Sequence, residues 1–257
     1  IPGWLGYPAM LISFMICLGL GFFCLSLATK PAHNHLNPTQ VTSLWHPFRQ
    51  APFRRLLLVF VLNGIASAIP ATLVLFFIQD RIRAPLASEP WFLGLYFLCA
   101  ALSMPFWLYL VRRIGLAKTW LSGMLLSILV FIWTLSLGEG DAIYFAFICA
   151  FSGFAVGADL ALPGAMLAGL IRALGHGGKH EGAYLGWWNF MTKANLALAA
   201  GLTLPLLEWL GYTPGIRDTQ ALQMLSLVYA GLPCLLKSLA AWALYRFFQA
   251  PHSPQEL

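Results

Sequence analysis

Charge is what this sequence has least of. Its 15 Lys and Arg and 9 Asp and Glu make up 9% of 257 residues, against about 25% in an average soluble domain. So few ionisable groups cannot cover a water-facing surface, and 60% of the residues are hydrophobic, so a soluble globular fold is excluded and an integral membrane protein implied. Strand-like alternation is missing too, which excludes a β-barrel. The cysteines Cys17, Cys24, Cys99, Cys149 and Cys234 make no CxxC pair and lie inside apolar runs, where they read as small reduced packing residues. No GxSxG, P-loop or HExxH occurs, so no catalytic constellation is visible and no enzyme is expected. A net charge of +6 would suggest nucleic acid for a soluble protein. Here the basic residues fall in short loops between apolar runs, a topology signal, and no nucleic-acid partner is expected.

What the sequence does have is seven apolar runs long enough to cross a bilayer, at about residues 4–28, 56–78, 91–111, 119–137, 142–171, 183–210 and 223–247. The expected fold class is an all-α polytopic membrane protein with seven transmembrane helices. Loop charge sets orientation. Lys30, Arg49, Arg54 and Arg55 fill the first loop, Arg112, Arg113 and Lys118 the third, and Arg172 and Lys179 the fifth. Those loops and the C-terminal tail are expected in the cytoplasm, leaving Ile1 outside. The chain opens inside an apolar segment without an initiator Met or a basic n-region, so no signal peptide is read and more protein is expected upstream. Residues 29–55, polar and proline-bearing, look like a linker between one lone span and a block of six, the three-plus-three count of half an inverted-repeat transporter.

The functional reading centres on residues 181–210, an apolar stretch carrying one lysine, Lys193. An ammonium at bilayer depth costs at least ~2.5 kcal/mol and marks a functional site with a partner by default. The alternative, a snorkelling side chain, is disfavoured because Lys193 lies ten residues past Ala183, roughly 15 Å along a helix. Asp159, ~18 Å deep in the preceding antiparallel span, reaches a similar layer and is the candidate partner, while Lys237 and Asn63 fall within a turn or two of that layer. Asn189 is four residues before Lys193 on one helix face, as a ligand contact or an interhelical hydrogen bond. Trp187 and Trp188 offer flat faces for a sugar ring, or simply pack. Around Asp159, Gly153, Gly157, Pro163 and Gly164 suggest a kinked or broken helix, as at transporter sites. Six histidines, His33, His35, His46, His176, His180 and His252, fall on the expected cytoplasmic side. His176 and His180 have a helical metal spacing, but the intervening GGK and the lack of Cys or acids make them solvated loop residues with no metal.

The segment EGAYLGWWNFMTK at residues 181–193, followed by an Ala/Gly-rich helix and GYTPG, resembles the glycoside–pentoside–hexuronide:cation symporters, the melibiose permease group of the major facilitator superfamily. DTQAL, LPCLLKSLAAWALYRF, ADLALPGAMLA and PFWLYLVRRIGLAKTW extend the resemblance over nearly all the chain from about Phe48. The resemblance implies twelve spans. Residues 1–28 would be the last helix of the N-terminal half, 29–55 the cytoplasmic central loop, 56–248 the six-helix C-terminal half-bundle and 249–257 a cytoplasmic tail. It implies cation-coupled symport of a sugar or sugar derivative by alternating access, in a bacterial inner membrane. Lys193 and Asp159 would serve substrate or coupling, Asn189, Trp188 and Asn63 the cavity, and Arg112, Arg113 and Lys118 a cytoplasmic gate or topology. The coupling Na⁺ or H⁺ is expected mainly in the upstream half, and no cofactor is expected. The partners implied are the bilayer, the sugar and that upstream half. Relatives with an AD..D pattern differ here, where Ala168, Gly169 and Arg172 leave a more positive half that favours an anionic sugar. A polytopic enzyme acting on lipid, or an inactive or sensor relative, are the competing readings.

Overall fold

The computed structural model describes residues 12, 15, 16, 18–21, 23, 43–178 and 180–248. The chain forms two compact units, Ile1–Val41 and Thr42–Leu257. The described residues of the first unit are helical. The rest of the expected span at 4–28, the loop up to residue 42 and the tail at 249–257 lie outside the described residues, as do His33, His35, His252, Cys17 and Cys24.

The second unit is all helical among the described residues. A 3₁₀ turn, His46–Arg49, leads into α1, Ala51–Phe76, which continues through a π-helical turn, Phe77–Ile82. Then come α2 (Glu89–Ile114), α3 (Leu116–Phe131), α4 (Ala142–Ala173) and α5 (Glu181–Trp209). The last span is α6 (Thr219–Ser226), a π turn (Leu227–Gly231) and α7 (Leu232–Phe248). Six helical segments among the described residues are long and apolar enough to cross a membrane, so this is a multi-pass membrane protein. With most backbone polar groups bonded inside their own helix, such segments are stable in lipid. They match the last six apolar runs, extended by a few residues into polar flanks such as Arg54 and Arg55 in the first turns of α1.

Only one residue, Gly115, separates α2 from α3, at φ 83°, a left-handed conformation that a side chain resists. Against lipid the pull between helices is close packing, not water exclusion. α4 packs on α2 and α3, while α1 packs on α5 and α7. A Cβ on Gly153 would lie 2.3 Å from the Tyr96 carbonyl oxygen, and one on Gly157 2.0 Å from Ser103 Oγ, so these glycines set the α2–α4 approach. Of the kinked or broken helix expected here, the break is absent: α4 runs as one helix through Pro163. Gly153 and Gly157 serve packing, Gly164 faces open space, and the interruptions fall in the π turns that follow α1 and precede α7.

Two apolar clusters fill the interior. At one end Phe53, Leu56, Trp107, Trp120, Met166 and Tyr184 pack together, and at the other Phe77 stacks on Tyr229 with ring centroids 4.2 Å apart beside Phe145. Outward-facing Trp91, Leu102, Phe147 and Leu160 are exposed, as a lipid-facing surface requires.

Candidate functional site

Away from the helix ends, three ionisable acid or base side chains remain in the spans: Asp159 on α4, Lys193 on α5 and Lys237 on α7. The structure brings two of them together. Lys237 Nζ donates to Asp159 Oδ2 at 2.6 Å, and Trp120 Nε1 donates to Asp159 Oδ1 at 2.8 Å. These three meet because α3 packs on both α4 and α7. Both charged side chains are over nine-tenths buried, so each ion's desolvation must be offset by this bonding. The backbone adds to the polarity of the spot. Pro163 has no N–H to give, so the Asp159 carbonyl four residues earlier loses its helical donor.

Lys237 also lines an open-sided cavity of about 360 Å³ between α1, α2, α3, α4 and the last span. That is within the size of small-molecule pockets, ~300–1,000 Å³. Its walls are mainly apolar and aromatic, and its polar groups are Ser67, Tyr96, Ser127, Ser152, Tyr229 and the Lys237 ammonium. π-helical backbone and Pro233 flank this end of the last span.

The expected partner of Asp159 is therefore corrected from Lys193 to Lys237. Although adjacent in sequence, α4 and α5 are not close neighbours: α5 packs chiefly on α1. Lys193 is exposed on α5 with no carboxylate within 4.0 Å among the described residues, and Asn189 is exposed one turn before it. Trp188 is half-buried, its ring stacked on Phe60 at 3.8 Å between centroids. Asn63 is buried on α1, its Oδ1 without a hydrogen-bond partner. Asn195, which sequence reasoning passed over, is buried in the same condition, its amide group against Gly64. Arg112, Arg113 and Lys118 are exposed at the α2–α3 turn, with the Arg113 guanidinium over the Tyr109 ring.

Sequence reasoning also passed over Trp120, whose indole N–H, placed in an apolar span, must find an acceptor, and it separated His46 from His176 and His180. The three histidines are half-buried and in ring contact, not free in solvent. Among the described residues no three His, Cys, Asp or Glu are arranged to hold a metal ion.

The opposite end of the bundle is closed by polar contacts. The Asp80 carboxylate accepts from Tyr212 Oη and from the Gly215 amide at 3.0 Å. Burial, then the bond to and charge of Asp80, push the Tyr212 phenol well above its ordinary value, so it remains a donor. Arg81 Nε bonds the Leu137 carbonyl at 2.9 Å, and Arg83 pairs with Glu139.

Six spanning helices, a buried charge pair at membrane depth and a cavity beside it describe a polytopic membrane transporter. The family is more particular. Residues 3–249 match the model of the MFS/sugar transport protein family, and the chain belongs to that family of the major facilitator superfamily. No curated protein matches the chain.

Proposed function

We propose that this chain carries out cation-coupled symport of a sugar or sugar derivative as a member of the melibiose permease group, with its six described spans acting as one half of the transporter. The observation that carries the reading is Lys193. Of the three intramembrane charges, Asp159 and Lys237 satisfy each other, and Lys193 is left exposed on an apolar span without a carboxylate among the described residues. An ammonium at that depth requires a counter-charge or strong acceptors. A substrate, or the facing half of a two-half cavity, supplies them. Asn189, one turn away, adds an amide to the same face. An acidic sugar brings the carboxylate that Lys193 lacks, which favours an anionic derivative over a neutral one. Asp159 and Lys237 have a different part. They lock α4 to α7 beside the cavity, and alternating access trades that pairing between the two end states. The coupling Na⁺ or H⁺ belongs to the upstream half on this reading.

The test is uptake into vesicles by the full-length protein, with and without inward Na⁺ and proton gradients, across neutral and acidic glycosides. Lys193→Ala removes a charge-assisted contact worth ~1.5–3 kcal/mol, so gradient-driven uptake is expected to fall about tenfold or more. Unchanged uptake in that variant returns Lys193 to a snorkelling role. No uptake by the unmodified protein under either gradient points to a non-sugar substrate or an inactive relative. Equal uptake of neutral and acidic glycosides removes the preference for an anion.

A further inference from the structure

At the end of the bundle where α1 begins, a short strap of chain is fastened by histidines. His46 opens the 3₁₀ turn before α1, while His176 and His180 stand in the turn between α4 and α5. The His46 and His180 rings lie parallel, 7° apart in plane with centroids at 4.1 Å, and His176 meets both rings edge-on at 4.9 and 5.2 Å. Nδ1 of His46 and Nδ1 of His180 are buried without a hydrogen-bond partner. His176 Nδ1 is 2.9 Å from Tyr184 Oη. The strap is further seated on α5 by Trp187 Nε1, which donates to the Leu44 carbonyl at 2.8 Å, and by Trp45 and Phe48 against the Trp187 ring.

Such a cluster is weakened once neighbouring rings both carry a proton. Parallel imidazoles in contact gain from packing when neutral and repel when both carry a proton. The surrounding groups do not offset that charge. From the strap itself comes the Arg49 guanidinium, and the Arg54 guanidinium is turned to the Phe48 carbonyl at 2.6 Å. From α4, Arg172 is turned to the Ala168 carbonyl at 3.3 Å. From α5 come the neutral Tyr184 and one acid, Glu181, whose Oε2 faces the Gly178 amide at 3.4 Å. No described carboxylate lies within 4.0 Å of any of the three rings.

We propose that His46, His176 and His180 form a proton-operated latch, which holds the strap before α1 against the α4–α5 turn when neutral and releases it on proton uptake. The latch bears on both α1 and α5, the helices of Asn63 and of Lys193. It stands independently of the transport reading. The direction of the pH effect follows from His46. Burial first, then His180, His176 and Arg49, hold its imidazole below the ordinary 6.5 in the closed arrangement. The open strap binds protons more readily, so closure is complete above about 6.5 and weakens as pH falls through and below that value. Each proton taken up on opening steepens the loss by about tenfold per pH unit.

Hydrogen–deuterium exchange on the full-length protein in lipid nanodiscs tests this without any transport assay. Labelling is done at about pH 7.5 and about pH 5.5, with times scaled for the intrinsic pH dependence of amide exchange. In the unmodified protein, peptides over 43–50 and 174–182 are expected to exchange about tenfold faster or more at the lower pH, with α3 unchanged. His46→Phe keeps a ring on His180 but takes up no proton, and His180→Gln keeps a polar side chain without the ring that stacks on His46. Both are expected to flatten the pH response. Equal protection at the two pH values in the unmodified protein, or a full pH response in both variants, overturns the latch.

Discussion

The two acid–base pairs among the described residues sit in opposite settings. Asp159 and Lys237 meet at membrane depth with side chains 8% and 7% exposed, a Trp120 N–H completing the carboxylate's bonding. Arg83 and Glu139 meet at the loop end with side chains 35% and 63% exposed. The groups are alike in charge and unlike in solvent. Water competes freely for the second pair, and its attraction is largely screened. The first pair has no water to return to, so either member alone is an uncompensated buried charge. The interior pair is therefore a commitment between α4 and α7 in which each member depends on the other, whereas the loop-end pair trims a contact already made by neighbouring bonds.

The largest expected effect comes from splitting the interior pair. Asp159→Asn leaves the Lys237 ammonium buried without its carboxylate and should destabilise the folded protein by ~3–5 kcal/mol, read as a lowered unfolding midpoint in detergent. Lys237→Met should cost a similar amount. The double variant removes both charges and is expected to regain most of the loss, giving a strongly non-additive cycle. Additive losses would mean that the two side chains do not depend on each other, and the contrast with the loop-end pair would disappear.

Much of the fold was legible, because lipid selects for uninterrupted apolar length and the six described spans carry it. The centres of those helices fall where the apolar runs do. Their ends do not, since the helix continues into flanks such as Arg54, Arg55 and Arg113 that hydropathy alone excludes. The site was legible in one dimension only. Depth along a helix put Asp159, Lys193, Lys237 and Asn63 near one layer, but depth does not say which helices are neighbours. That depends on the side chains between them: Gly153 and Gly157 draw α4 to α2, while Gly64 and Asn195 lie together between α1 and α5. The result is a Lys237 partner for Asp159. The histidine cluster was out of reach for a similar reason. His46 joins His176 and His180 only after α1 and α5 pack, and no local spacing records that.

Between the extremes lies Asp80, at the loop end but half-sheltered by Tyr212, which is 3% exposed. Tyr212→Phe keeps the ring and deletes the hydroxyl that donates to the carboxylate. A hydrogen bond to a charged group contributes about 1.5–3 kcal/mol, and Asp80 still keeps the Gly215 amide, so a loss near the lower figure is expected. The check is the unfolding midpoint of Tyr212→Phe beside that of Asp159→Asn. Equal losses would show that shelter at the loop end matches burial at membrane depth.

The smallest effect is expected at Arg83. It is the one non-glycine residue with positive φ among the described residues, at 54°, where it ends the π turn after α1. Arg83→Ala removes its pairing with Glu139 and should cost no more than ~1 kcal/mol, because water reaches both side chains in the folded state and screens the pair. Arg83→Gly removes the same pairing but relieves the left-handed backbone, so it should be no worse than Ala and is expected to be more stable. Salt separates the two causes. Raising ionic strength should shrink the gap between the unmodified protein and Arg83→Ala, since the lost term is electrostatic and exposed. The gap between Ala and Gly should not move, since it is conformational. If the Ala variant instead loses several kcal/mol at any salt, the pair at the loop end holds the bundle as the interior pair does, and exposure is not what distinguishes them.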